Sequence, residues 1–407
     1  MNFFEQQAHA QKQTRRLLWL FGGAVVAVSV LACLALTSLV WIFQHPITSY
    51  DRAGLMTPLV TMIATYGGAL FHPFRFLHQI ADPRLCAWTI LATIILVAAG
   101  CLYKKQQLAA GGSAVAKLLG GKKIERDTAD LDKKKLCDVV EEMAIAAGLP
   151  VPEIYLLERE RGINTFAAGH TRDDVAIGVT FGAFKLLSRD ELQGVIAHEF
   201  SHVLNGDTRL NMRLMILAHG LFWPTLLGRV LTYGSPEALE STDSLFDKET
   251  KQRILPTVPV GLVFLFIGSI SSPFARLIKS MICREREWLA DAAAVQFTRN
   301  PAGIEGALKK IGGLYRGGQL DSPNAEVASH LYFANSNQDP LFNFLSTHPP
   351  TAQRILAIDP AFDGRFAHVD ARAVQNAINA RDDAFDRQYE ESVRREREQM
   401  KSGKLFE

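Results

Sequence analysis

His198-Glu199-Phe200-Ser201-His202 is the stretch whose reading decides what this chain is, and its flanks mark it as helical. Leu192, Val195, Ile196 and Val203 recur as an apolar stripe, and Ser188 followed by Glu191 forms a capping box at the start. A helix advances about 100° per residue, so His198 and His202 lie one turn apart on one face, and both imidazoles reach a single Zn²⁺. Two histidines and a glutamate beside such a stripe need partners, and metal ligation supplies them better than water does. Glu287, within Arg286-Glu287-Trp288-Leu289-Ala290-Asp291, is the candidate third ligand from a second helix, leaving the fourth position for water. An open position marks a catalytic metal site, not a structural one.

The composition is 48% hydrophobic with a formal net charge of +2, which gives no basic surface for nucleic acid. The apolar residues are clustered. Leu17–Phe43 contains no charged residue and is long enough to cross a bilayer core of about 30 Å. A cleaved signal peptide would have a shorter apolar core and a small-x-small site, which Ile42-Phe43-Gln44-His45-Pro46 does not offer. Leu85–Tyr103 is the second span, followed by Lys104-Lys105, Lys122-Lys123 and Lys133-Lys134-Lys135, while Lys12, Arg15 and Arg16 precede the first. The positive-inside rule places both flanks in the cytoplasm and the Gln44–Arg84 stretch outside, with Gly54–Phe71 read as interfacial or re-entrant. Two further apolar segments, 212–233 (most apolar over Met212–Leu227) and 254–274, separate the histidine motif from Glu287. Because the three ligands must meet, these segments either both cross or both stay inside. The acidic residues of the Glu237–Arg253 loop favour four crossings, with two as the alternative.

The five cysteines show no Cys-x-x-Cys spacing, so neither a disulfide framework nor a thiolate site is expected. Leu131–Gly148 has helical periodicity and stops at Gly148-Leu149-Pro150. Glu153–Leu157 and Asp174–Thr180 read as short strands on either side of Gly162-Ile163-Asn164-Thr165-Phe166-Ala167. A strand beside the metal offers an edge to which an extended peptide can add; Asn164 as a simple turn residue is an equally good reading. Residues 372–407 mix charges of both signs and read as an exposed helix or frayed tail.

Four ordered motifs give the chain its resemblance to the HtpX-type heat-shock metalloproteases, which share a catalytic core with the CAAX prenyl endopeptidases. They are Asn164-Thr165-Phe166-Ala167, the histidine motif with Asp207, Arg286-Glu287 through Asp291, and Thr347-His348-Pro349-Pro350 with Arg354. The likeness runs from about Leu131 to Ile358, and one departure is Thr165, where the family usually carries alanine. It implies that Asn164, Thr165 and Phe166 line the substrate groove. It also implies that His348 and Arg354 stabilise the oxyanion of the tetrahedral intermediate; a helix-entry turn with a solvated Arg354 is the plainer reading of the same residues.

From the residue types, Glu199 is the general base for the attacking water and later returns the proton to the leaving amine. Asp291, one turn beyond Glu287, is placed to accept a hydrogen bond from a ligand imidazole; Asp207 either does likewise or caps the region. The chain is thus expected to be an α-helical integral membrane protein with an α+β zincin (gluzincin-like) catalytic domain, mainly α. Residues 1–105 form its membrane region, 106–371 a catalytic domain interrupted by the two apolar segments, and 372–407 a tail. The expected function is a one-zinc endopeptidase of the inner (cytoplasmic) membrane, its catalytic domain in the cytoplasm, clearing misfolded or surplus membrane proteins. A dedicated CAAX-type processing protease and a non-catalytic zinc-binding scaffold are the alternatives.

Overall fold

The computed structural model describes residues 3–44, 83–233, 258–314, 317–322, 325–334 and 348–369, with Gln375, Asn376 and Asn379. The 54–71 segment, the 237–253 loop and nearly all of the tail lie outside the described residues. The chain divides into two compact units, one formed by 1–107 with 213–281 and the other by 108–212 with 282–407.

In the first unit, α1 (Phe3–Gln44) and α2 (Pro83–Gln107) pack together, and Cys33 on α1 is disulfide-bonded to Cys86 on α2. This bridge was not expected, because local spacing says nothing about two cysteines brought together by helix packing. Among the described residues, four helical stretches are long and apolar enough to cross a membrane: Arg15–Cys33, Pro83–Gln107, Asp207–Tyr233 and Val260–Thr298. Trp19, Trp88, Ile95 and Phe266 are exposed, as side chains that face lipid would be. Small residues set the packing: a Cβ at Gly100 would meet Trp223, and one at Gly220 would meet Cys101 and Val97.

The second unit begins with α3 (Gly112–Leu118) and a two-residue strand, β1 (Lys122–Lys123). Helix α4 (Leu131–Ala147) starts where Asp130 accepts hydrogen bonds from the Asp132 and Lys133 amides and ends at Gly148, which adopts the left-handed φ of 65°. Strands β2 (Glu153–Leu157), β3 (Thr165–Ala168) and β4 (Ala176–Thr180) complete a sheet of order β1-β2-β4-β3. The β2/β4 pair is parallel; the two outer pairs are antiparallel.

Two sequence expectations shift here. The strand expected from Asp174 begins at Ala176, because the Asp174 carboxylate accepts from the Thr171 amide and hydroxyl and closes a turn. The segment between the expected strands is itself a strand, β3, whose Phe166 lies over Gly178 of β4, where any side chain would collide with the ring.

After a short α5 (Phe181–Leu186), α6 (Arg189–Asn205) carries the histidine motif. Its N-terminus has the expected capping box: the Ser188 hydroxyl accepts from the Glu191 amide at 3.3 Å, and the Glu191 carboxylate accepts from the Ser188 amide at 2.7 Å. Lys310 on α9 (Pro301–Gly313) holds the same carboxylate at 2.6 Å. Leu192, Val195, Ile196 and Phe200 enter a core shared with Leu136, Val140, Ile177, Ile304 and Leu308. Gly206, at φ 74°, ends α6 and lets the chain turn at once into α7 (Asp207–Tyr233). Helix α8 (Val258–Thr298) brings in Glu287 and Asp291. A short α10 (Ala325–Ala328), a 3₁₀ turn (Ser329–Leu331) and α11 (Thr351–Ile358) follow.

Candidate metal centre

Every residue from Gly194 to Val203 is buried, so the polar groups of the motif must find their partners largely within the protein. His198 Nε2 and His202 Nε2 face each other at 3.2 Å. Glu287 completes the group, with Oε2 at 3.6 Å from His198 Nε2 and Oε1 at 3.6 Å from His202 Nε2. Tetrahedral zinc with nitrogen and oxygen ligands at about 2.0–2.1 Å sets neighbouring ligand atoms about 3.3 Å apart, which the 3.2 Å between the imidazoles matches, while Glu287 turns a different oxygen to each of them slightly farther out. Lone-pair-bearing atoms converging in a buried place call for positive charge among them, which a metal ion supplies. The residues present fit a metal.

The other ring nitrogens are held by carboxylates. His198 Nδ1 lies 2.9 Å from Asp291 Oδ1, and His202 Nδ1 lies 2.9 Å from Asp207 Oδ2. Each arrangement directs Nε2 inward and makes the ring a stronger donor. Behind each aspartate stands a buried arginine. Arg354, on α11, contacts Asp291 through Nε at 2.8 Å and Nη2 at 2.6 Å; Arg286 donates from Nη1 to Asp207 at 2.9 Å and from Nη2 to Asn211 at 3.0 Å.

Burial works against charge throughout the site, and the neighbours decide the outcome. For Glu287, burial alone would raise the pKa, but His348, His198 and His202 outweigh it and hold the carboxyl well below its usual range. Burial likewise pushes Asp291 and Asp207 up, yet Arg354 with His198, and Arg286 with His202, bring both below the usual range. Burial lowers His198, but Asp291 and Glu287 more than reverse it and raise its pKa to about 9. The pocket thus attracts positive charge, whether proton or metal ion. Glu199 differs: burial dominates and raises its carboxyl above the usual range, although the two histidines and Thr165 pull the other way. A carboxylate of raised pKa is what proton transfer near neutral pH requires.

The remaining expected site residues are all buried close by, with partners of their own. His348 Nδ1 lies 2.8 Å from Glu287 Oε2. Arg354, expected from the resemblance beside a substrate oxygen, spends Nε and Nη2 on Asp291 and donates from Nη1 to the Phe333 carbonyl at 2.5 Å. Asn164 is a clamp: its amide donates to the carbonyls of Gly318 and Ala334, and its oxygen accepts from the Thr165 and Ala334 amides. Phe166 packs edge-on against Tyr332. The outer edge of β3, expected to receive an extended peptide, pairs instead with the chain's own Tyr332 and Phe333, the Phe333 amide donating to Thr165 O at 2.9 Å.

Arg286, Asn211 and Phe333 were not among the expected site residues. Arg286 was legible in principle, because a buried carboxylate such as Asp207 needs a counter-charge. Phe333 meets the His198 ring edge-on at 4.9 Å and carries Arg354 over its face at 4.5 Å, but nothing in its local sequence announces this.

The model of peptidase family M48 matches residues 130–361, a span that holds all of these groups. The chain belongs to peptidase family M48. It is 34% identical over 223 residues to the "Protease HtpX homolog" of Streptococcus uberis, covering 53% of this chain and 70% of that one. To the protein of the same name from Streptococcus gordonii it is 29% identical over 290 residues, covering 67% and 93%. A solved structure, that of S. mikatae Ste24p, aligns with a TM-score of 0.37 at 18% identity, covering 75% of this chain and 64% of that one. As an M48 member the chain is a metallopeptidase, its substrates are polypeptides, and its helices make it a membrane protein.

Proposed function

We propose that this M48 peptidase is a zinc endopeptidase of the cytoplasmic membrane, with its catalytic unit in the cytoplasm, acting on misfolded or surplus membrane proteins. The relatives' name, Protease HtpX homolog, supports this choice, and so does the lysine clustering that flanks the first two spans. The observation that carries the chemistry is the convergence of His198 Nε2, His202 Nε2 and Glu287 within 4.8 Å, a donor set of two imidazoles and one carboxylate that suits zinc.

His198, His202 and Glu287 would hold the zinc, which when bound would supply Lewis-acid polarisation of a peptide carbonyl and a more acidic water. Glu199, next to His198 on α6, takes the proton from the attacking water and passes it to the leaving amine. Asp291 and Asp207 keep the two imidazoles turned inward, and Arg354 and Arg286 hold those aspartates in place. His348, against Glu287, is the donor we assign to the developing oxyanion, whereas Arg354 acts through Asp291. Asn164, Thr165 and Phe166, which the resemblance implies line the substrate groove, act here from behind the site: Asn164 fixes the strand that carries Thr165 against Glu199.

Glu199→Gln tests the reading, because the amide keeps the shape and cannot accept the proton. The purified variant in detergent should retain its metal, measured as zinc per chain, and lose casein cleavage. Undiminished cleavage would refute the assignment.

A further inference from the structure

We infer that Thr165 is a positioning residue for this hydrolysis: its hydroxyl aims the carboxylate of Glu199. The inference rests on the proposed role of Glu199 and extends it to a residue on a different element. Thr165 Oγ1 donates to Glu199 Oε1 at 2.7 Å, and both side chains are about 1% exposed. A hydrogen bond to a carboxylate is among the stronger kinds, and the burial of both side chains shields this one.

The donor is held on every side. Thr165 pairs with Val179 on β4, its amide donates to Asn164 Oδ1 at 3.1 Å, and its carbonyl accepts from the Phe333 amide at 2.9 Å. Its branched Cβ restricts χ1, so a fixed backbone gives a fixed hydroxyl. Glu199 has the opposite problem. Its side chain is long, and α6 fixes only its root, so the carboxylate would otherwise sample several rotamers beside the reacting water. The contact engages Oε1 and thereby leaves Oε2 as the oxygen that receives the proton. The clamp formed by Asn164, Gly318 and Ala334 thus acts on the reaction through Thr165, by holding the strand from which the hydroxyl projects.

The experiment compares Thr165→Val, Thr165→Ser and Thr165→Ala with the unaltered protein, measuring kcat and KM on a fluorogenic peptide and metal per chain. Valine keeps the branched shape without the hydroxyl. We expect Thr165→Val to lower kcat about 10- to 100-fold, the range of a lost hydrogen bond to a charged group, with KM and metal content unchanged. Thr165→Ser should restore most of kcat, since it returns the donor without the methyl. A Val variant as active as the parent, or a Ser variant as impaired as the Val variant, overturns the inference. If Thr165→Val does not fold, Ser and Ala decide: both lack the methyl and only Ser has the hydroxyl, so equal kcat in these two also overturns it. Glu199→Gln runs alongside. Cleavage by that variant would refute the role of Glu199 itself, whereas an inactive Glu199→Gln beside a fully active Thr165→Val would refute only the role of Thr165.

Discussion

Arg354 grips Asp291 through two nitrogen–oxygen contacts of 2.8 and 2.6 Å, and the Asp291 carboxylate carries that hold to Nδ1 of His198. The same sequence of arginine, aspartate and histidine recurs on the other ligand, through Arg286, Asp207 and His202. No single helix of the site could supply such a chain alone. Helix α6 brings the histidines, α7 opens on Asp207, α8 brings Arg286 and Asp291, and α11 brings Arg354. Each relay therefore ties the metal centre to packing between helices far apart in sequence.

Removing Arg354 should act on the fold and the metal before it acts on the chemistry. Arg354→Ala takes from the buried Asp291 its full counter-charge and leaves it only His198, and breaking a buried ion pair costs about 3–5 kcal/mol where it has been measured. Thermal stability and zinc per chain should both fall, and Arg354→Lys should recover only part of each, because an ammonium cannot span both oxygens. If Arg354→Ala kept full metal content and stability while kcat alone collapsed, Arg354 would be an oxyanion donor after all.

The two aspartates should resemble each other and differ from Glu287. Asp291→Ala and Asp207→Ala should each weaken zinc affinity about 10–100-fold, the usual effect of losing the partner of a ligand imidazole. Glu287→Ala removes a ligand outright and should leave the protein nearly metal-free. Chelator competition gives the order. An aspartate variant that lost more zinc than Glu287→Ala would mean that the ligand has been misassigned.

Much of this site was legible in sequence because helical spacing is a local code. His198 and His202 are one turn apart, Glu287 and Asp291 are one turn apart, and the start of α6 was marked by Ser188 and Glu191. What stayed hidden depends on contacts across the chain. Pairing of Tyr332 and Phe333 with β3, the bond between Cys33 and Cys86, and the clamp at Asn164 leave no periodic trace. Thr165 lies between the two cases. As a departure from the family's usual alanine it was visible at once, but its contact with Glu199 required the distance between β3 and α6.

Glu160 supplies a pH dependence that is separate from the metal. Its carboxyl is buried and accepts the Asp321 amide at 2.6 Å, and burial raises its pKa from 4.5 to about 6. The unfolded chain releases this proton near 4.5 and the folded chain near 6, so the folded state binds more protons in between. Stability from this group is therefore complete below 4.5 and is lost as pH rises through 6, a difference of about 2 kcal/mol. Glu160→Gln keeps the acceptor and never ionises. It should be more stable than the parent by up to that amount at pH 7.5, with the gap closing at pH 4, as read by thermal melts or hydrogen exchange. A gap independent of pH would show that Glu160 ionises as easily inside the fold as outside it.

The four helices of sufficient length and apolarity among the described residues raise the question of which faces they separate. Lys12, Arg15 and Arg16 before the first span and Lys104, Lys105, Lys122 and Lys123 after the second favour a cytoplasmic position for both flanks. His198, His202 and Glu287 must share that side, which makes the number of crossings between them even. With four crossings the 237–253 loop is outside. In a functional variant without native cysteines, an impermeant thiol reagent added to intact cells should then modify Ser241→Cys and spare Lys134→Cys. Labelling at neither position would mean two crossings, with 212–233 and 254–274 lying against the inner face. Labelling at Lys134→Cys would place the metal centre outside the cytoplasm, where the proposed cytoplasmic segments of membrane-protein substrates could not reach it.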